Sequence, residues 1–254
     1  MLMSCKIEFA GFFLLLFLSL ISKNNYASES SGIRNDDSDT SSFNIQSHSF
    51  LLPQAKPPRK FSSSIYFLNV FIPRDWTHDI IKAPMFSYAA KYSLPAGFDL
   101  HGCISTLIIS NRICIGPFWN LTLDNYHIGF GYQLAFNYGF LTEFGFDTRL
   151  TGWEQQPTLL LGAAYGNMAV TLRGDLYVTS SLYLREGESV IPFTDDFLNG
   201  FSITASLEQR LYKKRVMSLG IKWSYLRYHI LAWPAFPVNR YRYDVPEFQI
   251  GLNF

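Results

Sequence analysis

YHIGFGYQLAFNYGF, residues 126–140, puts a large apolar or aromatic side chain at every even position and a small or polar one at every odd position. Tyr126, Ile128, Phe130, Tyr132, Leu134, Phe136, Tyr138 and Phe140 form one set; His127, Gly129, Gly131, Gln133, Ala135, Asn137 and Gly139 form the other. Alternation sustained this long fits the two-residue period of a strand and no helical period. It also excludes a transmembrane helix over this uncharged stretch, because half of it is small or polar.

The same pattern recurs on both sides. In 141–150, Phe144, Phe146 and Leu150 alternate with Glu143, Gly145, Asp147 and Arg149. Met168, Val170, Leu172, Leu176 and Val178 oppose Thr171, Arg173, Asp175 and Tyr177. Phe201, Ile203, Ala205, Leu207 and Leu211 oppose Ser202, Thr204, Ser206, Glu208 and Arg210. Met217, Leu219, Ile221, Trp223 and Tyr225 alternate with Ser218, Gly220, Lys222 and Ser224, and the chain closes on Phe248, Ile250, Leu252 and Phe254 against Gln249, Gly251 and Asn253.

Breaks between these runs are unequal. Short ones fall at Ser110–Arg112, Tyr138–Phe140, Gly166–Asn167 and Lys213–Lys214, and longer ones at 153–156, 184–197 and 231–245. Ten strands are predicted: 85–94, 97–109, 112–123, 126–138, 141–152, 157–165, 168–183, 198–212, 215–230 and 246–254. Short turns on one side and long loops on the other give an all-β fold, an antiparallel up-and-down transmembrane β-barrel of about 10 strands. With Phe61–Ile72 and one further partner the count becomes 12. Asp75–Ala83 is the best helix candidate, with Asp75 as N-cap and Pro84 as stop.

Composition agrees with strands in lipid. The 254 residues hold 23 Phe, 15 Tyr and 5 Trp, yet the charged fraction is 16% against roughly 25% in soluble domains. Mean hydropathy is only +0.06, too low for a bundle of membrane helices. The net charge of +1 gives no basic field for nucleic acid. A ten-strand barrel encloses little space, and about eight strands are already filled by side chains. Aromatics on every alternate position of 126–138 overfill that interior, so they point outward and small polar residues point in. Outward aromatics are tolerable in lipid, where a closed barrel satisfies every backbone group.

Residues 1–27 have the layout of a secretory signal peptide: Lys6, an apolar run from Phe9 to Ile21, then small residues near Ala27 and Ser28. Residues 28–60, rich in Ser, Asp and Asn, read as a disordered polar periplasmic tail. Residues 61–84 read as a lead-in or extra strand, and 85–254 as the barrel. Cys103 and Cys114 read as small core or wall residues, although an oxidising compartment allows them to pair.

The chain resembles Gram-negative outer-membrane β-barrel proteins, in an aromatic style similar to barrels of the Bacteroidota. The most specific match is the end, PEFQIGLNF, where Phe248, Ile250, Leu252 and Phe254 look like the C-terminal assembly signal of that family. Gln249 stands where the signal usually has Gly. The resemblance implies export, periplasmic chaperones, the barrel-assembly machinery, and contact with outer-membrane lipid and lipopolysaccharide.

Signals for chemistry are sparse. No His-x-His or Cys-x-x-Cys pair suggests a metal, no cofactor motif is present, and GFGYQL lies within a strand, where Gly129 and Gly131 relieve crowding or coil the strand. The sequence therefore favours a structural or transport (porin-like) barrel that is not an enzyme. The candidate site is a lumen charge network of Glu143, Asp147, Arg149, Arg173, Asp175, Glu208, Arg210 and Lys222, because charges in a narrow lumen must pair. A loop cluster of Trp233, Phe236, Arg240, Tyr241, Arg242 and Tyr243 suits an interfacial girdle or lipid phosphates. The alternatives are a lipid-active barrel enzyme with His127 at the extracellular mouth, and a soluble lipocalin-like barrel.

Overall fold

A computed structural model describes residues 43–254 apart from 75–80, 108, 143–146, 188, 194–196, 213–214 and 231–240. A one-turn helix, α1 (Ile45–His48), precedes the strands β1 (Phe61–Ile72), β2 (Ile81–Ser93), β3 (Phe98–Thr106), β4 (Ser110–Leu123), β5 (Tyr126–Leu141), β6 (Thr148–Tyr165), β7 (Met168–Glu186), β8 (Ser189–Phe193), β9 (Phe197–Tyr212), β10 (Arg215–Leu226) and β11 (Tyr243–Asn253). Every strand pairs antiparallel with its neighbour in sequence, except that β7 pairs with β9 and β8 folds back on the end of β7. β1 pairs with β11, with Tyr66 opposite Gly251, and closes the sheet into a ten-strand up-and-down barrel. Closure leaves no unpaired edge among these ten. No helix among the described residues is long and apolar enough to cross a membrane.

The ten strands are not the ten predicted. β1 occupies 61–72, so the barrel begins there and not at 85. In compensation, 141–152 and 157–165 belong largely to one strand, β6. Glu154, Gln155, Gln156 and Pro157 resemble a turn, but Glu154 and Gln156 face the lumen and find partners there. Pro157 sits where the ladder to β7 is interrupted, between Gln155↔Val178 and Thr158↔Asp175, so its missing N–H breaks nothing. Tyr138–Phe140 likewise continues β5. The helix expected over Asp75–Ala83 is replaced at 81–83 by β2; its first six residues lie outside the described residues. Pro84 lies beyond the end of the β2–β3 ladder, which begins at Phe86↔Thr106.

Connections at one end are short: 94–97, the two-residue turns 124–125 and 166–167, and 213–214. Asp124 and Gly166 take positive φ (53° and 55°), the conformation such tight hairpins demand. The opposite end carries 73–80, 142–147, the β8 arm and 227–242, together with one short connection at 107–109. The outward face is apolar: Phe86, Ile115, Phe130, Leu159, Leu172 and Ile203 are all exposed. The described outward aromatics form ladders between strands, such as Trp119 with Phe130 and Phe136 with Trp153, the latter at 4.9 Å between ring centres.

Candidate functional site

The lumen is the candidate site, and it has three levels. At the short-turn end the chain itself enters. The side chain of Asn44 caps α1 by accepting from the Gln46 N–H, and residues 49–53 then run inside the wall. Glu208 on β9, 1% exposed, receives this segment. Its carboxylate accepts from the Ser49 hydroxyl, from the Phe50 N–H at 2.8 Å and from the Leu51 N–H at 3.2 Å, while Asn253 Nδ2 donates at 2.6 Å. Lys91 Nζ donates to the Phe50 carbonyl at 3.0 Å and Lys56 Nζ to the Ser49 carbonyl at 2.5 Å. Burial, reinforced by the nearby Lys91 and Lys60, holds the Lys56 ammonium down at about 6 from its ordinary 10.5.

Small wall residues make room for this segment. A Cβ on Gly129 meets Pro53 Cβ at 2.6 Å, and one on Gly162 meets Leu52 Cδ1 at 2.6 Å. Ile45 and Leu52 pack on Ala164, Ala169 and Val216. Residues 43–60 are therefore an ordered plug, not part of a disordered tail. The polar composition of 28–60 concealed Ile45 and Phe50–Pro53, the short apolar patch that pays for ordering it, and the wall that receives them is formed only by the closed ring.

The middle level is ionic. Arg112 pairs with Glu154 at 2.5 Å and donates to Gln156 Oε1 at 2.7 Å. Arg173 pairs with Asp175 at 2.9 Å and donates to Gln133 Oε1 at 3.1 Å; Thr158 donates to the same Asp175 at 2.6 Å. Lys222 meets Glu247 at 2.8 Å across β10 and β11. Asp99 accepts from Asn120, and His101 stacks on Phe118 at 3.9 Å. A cavity of about 240 Å³ runs through this level, from Phe50 and Leu51 up to Tyr228 and Ile230. On its wall Cys103 and Cys114, directly opposite on β3 and β4 with Cα atoms 5.0 Å apart, form a disulfide. They are a cross-strand link, where the sequence reading had them as packing residues.

The long-loop end is apolar. Val70, Ile72, Ala83, Met85, Leu150, Leu182, Leu184, Tyr228, Ile230 and Val245 make one buried cluster inside the mouth. Residues 227–230 fold into it because Asn199 captures them: its Oδ1 accepts from the N–H groups of Arg227 and Tyr228, and its Nδ2 donates to the Tyr228 carbonyl. Leu182 and Leu184 face inward because the register slips opposite Trp153/Glu154, with Trp153↔Ser181 and Glu154↔Thr179. One extra residue on β7 reverses the facing of all that follow it.

Of the predicted charge network, Arg173, Asp175, Glu208 and Lys222 line the lumen, but at two levels and with different partners. Arg149 does not. Leu150 is buried in the apolar cluster and Arg149 is exposed on the outside, because the 142–147 connection resets the phase that the alternation in β5 suggested. Asp147 is exposed in that connection, and Glu143 lies outside the described residues. Arg210 is exposed at the rim, its guanidinium 4.6 Å from the Phe43 ring. Lys91, Asp99, Arg112, Glu154 and Glu247 were missed. The signal for Arg112 and Glu154 is strand parity, masked in the sequence by the apparent breaks at Ser110–Arg112 and 153–156.

The loop cluster is likewise split. Trp233, Phe236 and Arg240 lie outside the described residues. Tyr241 is exposed, Arg242 donates to the carbonyls of Leu198 and Asn199, and Tyr243 packs on the apolar cluster. Phe248, Ile250, Leu252 and Phe254 form the outward side at the end of β11, beside β1 and β10. His127 is 1% exposed and sits next to the two-residue turn 124–125, with Nδ1 3.3 Å from Thr122 Oγ1. That is the end opposite the long loops, away from the mouth at which the sequence alone would put a catalytic His127. Among the described residues no group of three or more His, Cys, Asp or Glu side chains is placed to hold a metal.

No protein-family model matches the chain, and no curated protein matches it. Solved structures similar to it are outer-membrane barrels. Neisserial surface protein A aligns at TM-score 0.34 and 12% identity over 76% of this chain and 95% of its own. The KdgM porin aligns at 0.40 and 10% over 75% and 98%, and an outer membrane channel from Pseudomonas putida F1 at 0.36 and 8% over 79% and 97%. At these values the ring closure traced above, and not the likeness, defines the fold.

Proposed function

We propose that this protein is an outer-membrane barrel of the transport type, held shut at rest by its own N-terminal segment. The observation that carries this reading is the layering of the lumen: a chamber lined by ion pairs, stoppered by residues 49–53 below and by the Tyr228–Ile230 cluster above. A purely structural barrel is served better by apolar filling, since replacing buried ion pairs with well-packed hydrophobes is often neutral or stabilising. Charged pairs kept around a chamber suit passage of small polar solutes. The exposed apolar belt supports a membrane setting over the soluble lipocalin-like alternative, because outward Phe, Leu and Ile are stable only against lipid. By the usual rule the short turns face the periplasm and the long loops the outside.

Two measurements test the reading. The protein should fractionate with membranes, need detergent for extraction, and migrate faster on a gel before boiling than after. In planar bilayers the full chain should be silent, while Glu208→Ala combined with Ile230→Ser, which loosens both stoppers, should give conductance steps. Silence of that variant with its heat-dependent migration intact would favour a structural barrel without a pathway.

A further inference from the structure

On the outer surface, β6 and β7 carry an ordered ladder toward the long-loop end. Leu161, Leu159, Leu172 and Leu176 give way to Trp153, then to Thr151 opposite Tyr183, and then to Arg149 directly opposite Arg185. Both arginines are exposed. Side chains in register on adjacent antiparallel strands have Cβ atoms about 5 Å apart, and like charges placed so repel. Neither guanidinium is paired with a carboxylate among the described side chains. Arg185 spends Nε on the Gly187 carbonyl at 2.8 Å, which leaves its terminal nitrogens to donate elsewhere.

Depth gives the pair a meaning. Four residues separate Trp153 from Arg149, about 13 Å along a strand, or about 10 Å along the membrane normal at a tilt near 40°. Belt aromatics sit at the level of the lipid headgroups, and the exposed Phe140 of β5 stands directly opposite Arg149, so the two guanidiniums stand at that level in the leaflet facing the long loops. Two adjacent forks carry a charge of +2, and a phosphate monoester, close to −2 at neutral pH, neutralises both while accepting from each.

From this juxtaposition we propose that Arg149 and Arg185 form a clamp for a membrane lipid bearing a phosphate monoester on a sugar headgroup, as in lipid A. The clamp rests on the outer-membrane reading above. A lipid phosphodiester carries one negative charge and fills it less well, and the acyl chains of a bound lipid lie along the Leu159–Leu172 face below.

The test uses the full chain in detergent, titrated with bisphosphorylated lipid A, with the same lipid after enzymatic dephosphorylation, and with phosphatidylglycerol, read by native mass spectrometry. Bisphosphorylated lipid A should bind at least tenfold more tightly than either of the others, and R149Q/R185Q should abolish that preference. Inorganic phosphate at millimolar concentration should not displace the lipid; if it does, the site is one for a soluble anion and the lipid assignment falls. A stability readout separates binding from packing: R149Q alone should raise the melting temperature slightly in phosphate-free detergent, where it removes a repulsion, and lower it in lipid A. Equal affinity for dephosphorylated lipid A, or an unchanged preference in R149Q/R185Q, would overturn the clamp. Loss of heat-dependent migration in the wild-type protein would instead overturn the barrel-in-membrane reading beneath it.

Discussion

Replacing Glu208 by Gln should release the plug while leaving the barrel closed. The carboxylate receives three donors from residues 49–51, namely the Ser49 hydroxyl and the N–H groups of Phe50 and Leu51, and all sit where Glu208 is 1% exposed. Gln keeps the shape, and its Oε1 still accepts from the Phe50 and Leu51 N–H groups, but its NH₂ replaces the oxygen that accepts from the Ser49 hydroxyl. Leaving one buried donor unmatched costs about 1–3 kcal/mol. Relief of the buried charge returns part of this, which makes the lower part of that range, about 1.4 kcal/mol, the working figure. That corresponds to roughly a tenfold increase in the population with the plug undocked. Hydrogen exchange at the Phe50 and Leu51 amides, followed by mass spectrometry or NMR in lipid nanodiscs, reads this population directly. Glu247→Gln is the matched control: it breaks the Lys222 pair and should leave those two amides protected. Unchanged Phe50 and Leu51 protection in Glu208→Gln, with the barrel still folded, would refute the account of how the plug is held.

Other perturbations probe the same architecture. Lys56, held at about 6 when docked against an ordinary 10.5, binds fewer protons docked than free between those values; docking should strengthen as pH rises from about 6 toward 10.5 and lose that contribution as pH falls to about 6. Lys91, Lys60, Glu208 and Asp99 act on the same ammonium, so Lys56→Met should flatten the response, read as the mobility of a spin label at Ala55. Gly162→Ala, whose Cβ runs into Leu52, should loosen the same label, whereas Gly174→Ala, with nothing within 4 Å, should not. Leu159→Arg, outward on β6 at mid-depth, should cost about 2–4 kcal/mol in urea-dependent folding into vesicles; a negligible cost would place that face in water.

Alternation was legible wherever it was pure. In β5, β7 up to Val178, β9 up to Glu208, β10 and β11, the predicted inward residues are the inward residues, because period 2 leaves a strand only two choices of face. It failed at interruptions. The 142–147 connection reset the phase of β6 and put Arg149 outside; the slip in β7 turned Leu182 and Leu184 inward; the polar run at Glu154–Pro157 hid a strand that passes straight through it. Each of these depends on what lies on the neighbouring strand, which a single strand's pattern does not contain.

By itself, then, the sequence determined that the chain forms antiparallel strands with an apolar side turned outward and a polar side turned inward, since side-chain alternation is a local property of the extended backbone. Only the tertiary structure decided that β1 closes the ring against β11, that charges from five strands meet as Arg112–Glu154, Arg173–Asp175 and Lys222–Glu247, and that residues 49–53 fill the lumen on Glu208. The physical reason is that a lumen exists only after closure: its polar groups acquire partners from strands far apart in sequence, and the plug acquires a wall to bury against.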